Sequence, residues 1–302
     1  MKLTRTWLAL LSCTLFIVAA ACNGGDPPPE DTGDTGDTGD EVDEETADKG
    51  EIVIGRNNWA ENIAVSNMWK VLLEEEGYEV DIQAMDKAPV WVGITRGELD
   101  IAPEVWLPHT DEPLMDQYED NVEMHDIWYE NTGLGLVVPE YMDIDSIEDL
   151  NDIQDELDGR IVGIDPGASL TQMSEEAVDE YDLELDLVTS SDPAMIAEMS
   201  QAYNNEEPVV VTLWSPHWVF SEYDLKYLDD PQNVYGDPDD IYYMTRTGFS
   251  DDHPEIIEWM NNWEMDDDSL GSLMAEINDN GEQEGATNWI EENRELVDEW
   301  LE

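Results

Sequence analysis

The sequence predicts an α/β protein whose folded part forms two blocks with a cleft between them. Three observations carry this. Short apolar runs alternate with stretches of helical periodicity from Glu51 onward, the pattern of strands packed under connecting helices. The runs Leu134–Val138 and Val209–Leu213 are continuously apolar, as strands buried on both faces are. From about Asp252 such runs stop, and the chain reads as helices rich in Trp and Met. Clefts between lobes are where ligands bind.

The first residues read as an export signal. Lys2 and Arg5 precede an uncharged stretch from Trp7 to Ala21, shorter than the roughly 20 residues a membrane span needs. It ends in Val18-Ala19-Ala20-Ala21-Cys22, small residues directly before a cysteine, as a lipoprotein signal peptidase requires. Residues 1–21 are therefore expected to be removed and Cys22 to carry the lipid. Cys13 leaves with the signal, so no disulfide can form within the mature chain. Residues 22–50 follow as a tether. Its Asp-Thr-Gly repeat from Asp31 to Asp40 has no apolar surface to offset ordering, and its charges repel, so it is expected to be extended and disordered. No EF-hand spacing accompanies these aspartates, which argues against calcium.

Within the folded part, Ile52-Val53-Ile54 is a short strand, and Gly55 to Trp59 a loop. Ile63, Val65, Met68, Leu72 and Leu73 recur at helical spacing until Gly77, where a helix stops. Tyr78–Met85 is a strand, Pro89–Arg96 a helix closed by Gly97, and Leu99–Ala102 opens another strand. Arg160–Ile164 is a strand followed by a Pro-Gly turn and a helix. The sheets are expected to be mostly parallel. Residues 51–136 with the returning helices 246–302 make one lobe, and residues 137–245 the other.

The charge is extreme: 76 acidic against 11 basic residues, a formal net charge of −65. It excludes nucleic acid and an anionic membrane surface as partners. Spread over helices and loops alike, it reads as a surface adapted to very salty surroundings, where self-repulsion is screened.

The aromatic inventory is uneven, with 12 Trp but only 3 Phe. Trp69, Trp259, Trp263, Trp289 and Trp300 lie at helical spacing and are read as core. Trp59, Trp106 and Trp214 each follow a strand, and in open α/β sheets ligands lie beyond the carboxyl ends of strands. They are a candidate aromatic cage, with scattered packing as the plain alternative. Such a cage suits a quaternary ammonium, whose diffuse charge and methyl groups are met by the negative, apolar ring faces. Ile164 to Thr171 reads as strand, tight turn and helix start, a place where free amides bind anions; simple capping by Ser169 or Thr171 is the alternative.

Several segments carry a resemblance: Asn58-Trp59-Ala60-Glu61-Asn62-Ile63-Ala64, Glu104-Val105-Trp106-Leu107-Pro108, Gly135–Tyr141, Gly163-Ile164-Asp165-Pro166-Gly167, Trp214-Ser215-Pro216-His217-Trp218, Leu225–Pro231 and Thr247–Ser250. Together they resemble the glycine betaine/proline betaine-binding proteins of ABC importers, the OpuAC type, over nearly all of 51–302. The resemblance implies a two-lobed periplasmic-binding-protein fold, type II-like, closing on its ligand. It implies a trimethylammonium cage of Trp59, Trp106 and Trp214, and a carboxylate site of backbone amides, here Ser169 and Leu170, with a histidine. Some members carry that histidine where this chain has Asp111, and His109 is the substitute. Glu61 matches an acidic residue of choline binders of this class, and an anion beside the cage favours a pure cation over a zwitterion.

The expected function is that of an extracytoplasmic, lipid-anchored, monomeric binding protein that delivers glycine betaine to a permease and ATPase. Choline or carnitine binding, or a ligand-sensing lipoprotein, are the alternatives. No enzyme motif, cofactor loop or metal-ligand spacing occurs, so no enzyme, cofactor or metal is expected.

Overall fold

The computed structural model describes residues 49–302; the expected signal, Cys22 and all but the last two residues of the expected tether lie outside the described residues. Strand β1 (Glu51–Arg56) feeds α1 (Ala60–Glu75), β2 (Glu79–Ala84), α2 (Lys87–Arg96) and β3 (Ile101–Leu107). β1 pairs in parallel with β2 from Glu51↔Glu79 to Arg56↔Ala84, and with β3 at Ile54↔Ile101. α2 ends where expected: Gly97 takes the left-handed conformation, φ 64°, and its amide reaches the carbonyls of Gly93 and Ile94. α3 (Glu112–Tyr118) and β4 (Val122–Tyr129) complete this stretch.

The chain then builds a second sheet from β5 (Gly133–Pro139), β6 (Arg160–Gly163), β7 (Asp186–Thr189), β8 (Val211–Ser215) and β9 (Leu225–Tyr227), with α4 (Ser169–Glu180) and α5 (Asp192–Asn205) between strands. It returns through β10 (Asp240–Arg246) to the first sheet. The strand orders are β2-β1-β3-β10-β4 and β7-β6-β8-β5-β9. All described residues lie in one compact unit, and none of its helices is long and apolar enough to cross a membrane.

The structure corrects the sequence reading at three points. The sheets are mixed: β10 runs antiparallel to β3 and β4, and β5 antiparallel to β8 and β9. β10, expected in the second block as part of 137–245, pairs in the first sheet, while Gly133–Leu136, expected in the first block, pair with β8. β4 was not expected as a strand. It is a sheet edge carrying Glu123, His125 and Asp126, buried only at Trp128 and Tyr129, so no apolar run marks it.

The tryptophan-rich core is largely as expected. Trp128 stacks on Trp263 at 4.2 Å between ring centres, and Trp69 meets Trp263 edge-on at 5.5 Å. Trp289 and Trp300 are also buried. Trp259 is not core: it is half-buried, with the Lys49 ammonium 5.5 Å from its ring centre. Helices Asp267–Asn280 and Glu282–Glu292 pack on each other and on α1.

Candidate functional site

Trp59 sits between β1 and α1 in an extended backbone conformation that opens the helix. Trp106 and Trp214 are each the next-to-last residue of a strand, β3 and β8. The structure brings all three to one small cavity. Both sheets contribute to its wall: Glu61, Lys87 and Thr110 from the first, and Leu134, Ile164 and Ser169 from the second. The Trp59 and Trp214 rings stand 6.3 Å apart, tilted by 59°. Scattered packing is thereby excluded for these three residues.

Hydrogen bonds cross between the two sides of the cavity. Trp59 Nε1 donates to Asp165 Oδ2 at 3.1 Å. Trp214 Nε1 donates to Glu61 Oε2 at 2.8 Å. Ser169 Oγ donates to Asp111 Oδ1 at 3.1 Å. Two of the three indoles thus bridge the cavity walls through their N–H groups, whereas the buried Trp106 Nε1 makes no such bridge and interacts with the Glu104 carboxyl.

Ala168 is the N-cap of α4 and has no side chain to cap with. The amides of Ser169 and Leu170 find no acceptor among the described residues, and both residues line the cavity. Thr171 does not cap the helix; its hydroxyl donates to the Asp165 carbonyl at 2.7 Å and pins the turn.

Glu61 lines the cavity and is fully buried. Burial, followed by the neighbouring Glu104 carboxylate, pushes its carboxyl well above the usual range. This shift favours the neutral acid and runs against the anion expected from the sequence. Its Oε1 is buried without a partner. Glu104 shares a strand face with Trp106. Burial raises it to about 8, opposed by the Lys87 ammonium and by the amide of Asn62, which donates at 3.0 Å.

His109 does not reach the site. It is exposed and packs near Gly236. Asp239 grips the amides of His109 and Thr110 at 2.6 and 2.8 Å, and this turn sends Thr110, not His109, to the cavity wall. His217 is buried edge-on to Trp214 at 4.9 Å. Its Nδ1 accepts the Val219 amide, so Nε2 carries the proton toward Asp192, 3.4 Å away.

Lys87 and Thr110 escaped the sequence reading. Lys87 had a signal: a cation as the first residue of a helix runs against the helix dipole, and the chain has few cations to spare.

Residues 50–292 match the family described as the substrate-binding domain of ABC-type glycine betaine transport systems, OpuAC. The chain belongs to this family. The family is one of binding proteins, not enzymes. The fold agrees: lactococcal OpuAC, crystallised closed with glycine betaine, is 31% identical with a TM-score of 0.78 over 84% of this chain and 100% of that one. The glycine betaine/L-proline-binding protein ProX of Borrelia burgdorferi is 30% identical with a TM-score of 0.80 over 83% and 97%. The glycine betaine/carnitine transport binding protein GbuC of Listeria monocytogenes is 36% identical over 155 residues, 50% of this chain and 52% of that protein. The chain thus spans about half the length of this curated relative in the match.

Proposed function

We propose that this OpuAC-family chain is the extracytoplasmic binding protein of an ABC importer, anchored by a lipid on Cys22, and that its ligand is glycine betaine. The observation that carries the ligand is the cavity lined by Trp59, Trp106 and Trp214 together with Ser169 and Leu170, whose amides have no acceptor among the described residues. The ring faces receive a trimethylammonium group, and the positive end of α4 receives a carboxylate. One small zwitterion satisfies both.

Calorimetric titration of the globular part in molar salt tests this. Glycine betaine is expected to bind one to one and to change Trp fluorescence, without being consumed. A protein that bound sugars or peptides and ignored every quaternary amine would refute the proposal. Carnitine is the second reading, favoured by the name of the Listeria relative, and belongs in the same titration. Coupling to transport rests on a permease and ATPase, tested by whether the liganded protein stimulates ATP hydrolysis by its reconstituted importer.

A further inference from the structure

Lys87 is nearly excluded from solvent, with its side chain 2% exposed, and it sits at the end of α2 where the helix dipole opposes a cation. Burying an ammonium there is costly unless its donors are used. Asp111 Oδ2 lies 2.6 Å from Nζ. An ammonium carries three N–H donors, and among the described residues its ion pair is with Asp111 alone. Nζ also stands 5.2 Å from the centre of the Trp59 ring, and Lys87 lines the cavity.

Asp111 holds more than the lysine. Its Oδ2 also accepts the Trp106 amide at 2.8 Å, and its Oδ1 accepts the Ser169 hydroxyl. Its oxygens are engaged by three donors, and it ties the ammonium to the first residue of α4. Beside them, the buried Thr110 hydroxyl lines the cavity with no partner. The ammonium, the two open amides of α4 and this hydroxyl are donors brought together next to the aromatic walls.

We propose that Lys87 is a binding and specificity residue: with the N-terminus of α4 it holds the carboxylate of a zwitterionic quaternary amine, and its fixed charge disfavours pure cations. The inference rests on reading the cavity as a quaternary-ammonium site. A zwitterion places its own carboxylate against the lysine. A pure cation brings no anion to the side of the ammonium that Asp111 leaves open, in surroundings where charges are poorly screened. Burial and the neighbouring Glu104 carboxylate push the Glu61 carboxyl well above its usual range, which weakens any offset from it.

The test compares glycine betaine, its methyl ester and choline by calorimetry in molar salt. The ester keeps the ammonium group and loses the anion. Wild-type protein is expected to prefer betaine over the ester and choline by at least about tenfold, the scale of a charge-assisted contact. The double variant K87Q/D111N removes both charges of the buried pair together. It is expected to weaken betaine at least about tenfold while changing the ester and choline less than about threefold. Equal weakening of all three ligands would make Lys87 purely structural and overturn the inference. So would a wild-type protein that takes the ester as tightly as betaine, a measurement that needs no variant to fold. If wild-type protein binds none of the three, the quaternary-ammonium reading fails and this inference falls with it; betaine binding that survives the double variant intact refutes only the role of Lys87.

Discussion

Trp214 Nε1 donates to Glu61 Oε2 over 2.8 Å, tying β8 of the second sheet to the first turn of α1 beside the first. The acceptor carboxyl is buried, and burial pushes it well above the usual carboxylate range, which favours a neutral acceptor held by geometry. E61Q keeps an oxygen in place and is expected to leave betaine affinity and the betaine-to-choline ratio within about threefold at neutral pH. E61A leaves the buried indole N–H unpaired and is expected to weaken both ligands by about tenfold. Calorimetry on the three proteins decides; a ratio shifted strongly by E61Q would restore the anionic role read from the sequence.

Glu104 makes a prediction about pH. Its carboxyl rises from 4.5 to about 8 on folding, chiefly through burial. Between those values the folded protein holds a proton that the unfolded chain releases, so this residue's contribution to stability falls as pH rises from about 4.5 to about 8 and then levels off. E104Q keeps an acceptor for Asn62 and cannot ionise. The variant is expected to gain on wild type steadily across that window, by on the order of a few kcal/mol at its upper end. Thermal melts at closely spaced pH values in molar salt give the difference curve, and a flat one would contradict the assignment.

The three cage tryptophans are not expected to respond alike. Each change to Ala removes a ring face and should weaken betaine by at least about tenfold, given up to about 2 kcal/mol per desolvated cation–π contact. Changes to Phe keep a face and separate them. Trp59 and Trp214 lose a hydrogen bond across the cavity, whereas the Trp106 indole N–H makes none across it. W106F is therefore expected to be the mildest of the three. By contrast, W263A should lower the melting temperature and leave the affinity of the folded fraction unchanged, because Trp263 is sandwiched between Trp69 and Trp128 in the core.

The three tryptophans and the turn at Asp165 were legible because each lies at or just past the end of an apolar strand, and that position is a local property. The histidine was not. His109 and Thr110 are neighbours, and which of them enters the cavity is decided by Asp239, 130 positions on from His109, holding both amides. The Lys87–Asp111 pair needs α2 and the end of β3 to meet, and nothing local announces that. Likewise the edge strand β4 and the returning β10 depend on partners far away in sequence, so the lobe boundaries were drawn a few residues off. Glu61 was found as a residue, but its raised carboxyl was not legible, since burial acts only in the folded chain.

Anchor and pocket are expected to be independent. Cys22 lies before the described residues, and every cavity residue lies in 59–214. C22S is expected to move the protein from the membrane fraction to the soluble one with betaine affinity unchanged. Retention of the variant on membranes would mean that something other than a lipid on Cys22 attaches it.

Salt should govern stability far more than it governs the pocket. With 76 carboxylates against 11 cations, most acidic side chains have no cation to pair with, and their mutual repulsion acts only on the compact state. At about 1 M salt the screening length shrinks to about 3 Å, from about 10 Å at 0.1 M, and that repulsion is largely removed. The melting temperature is expected to climb steeply over that range. The Lys87–Asp111 pair is buried, with side-chain exposures of 2% and 0%, and buried pairs are screened much less. Betaine affinity of the folded fraction is thus expected to vary little over the same range. Melting curves and titrations on one salt series separate the two effects. A melting temperature indifferent to salt would show that the acidic surface does not strain the fold. An affinity that tracked salt as steeply as the melting temperature would place the ligand's charges in solvent rather than between Trp59 and Lys87.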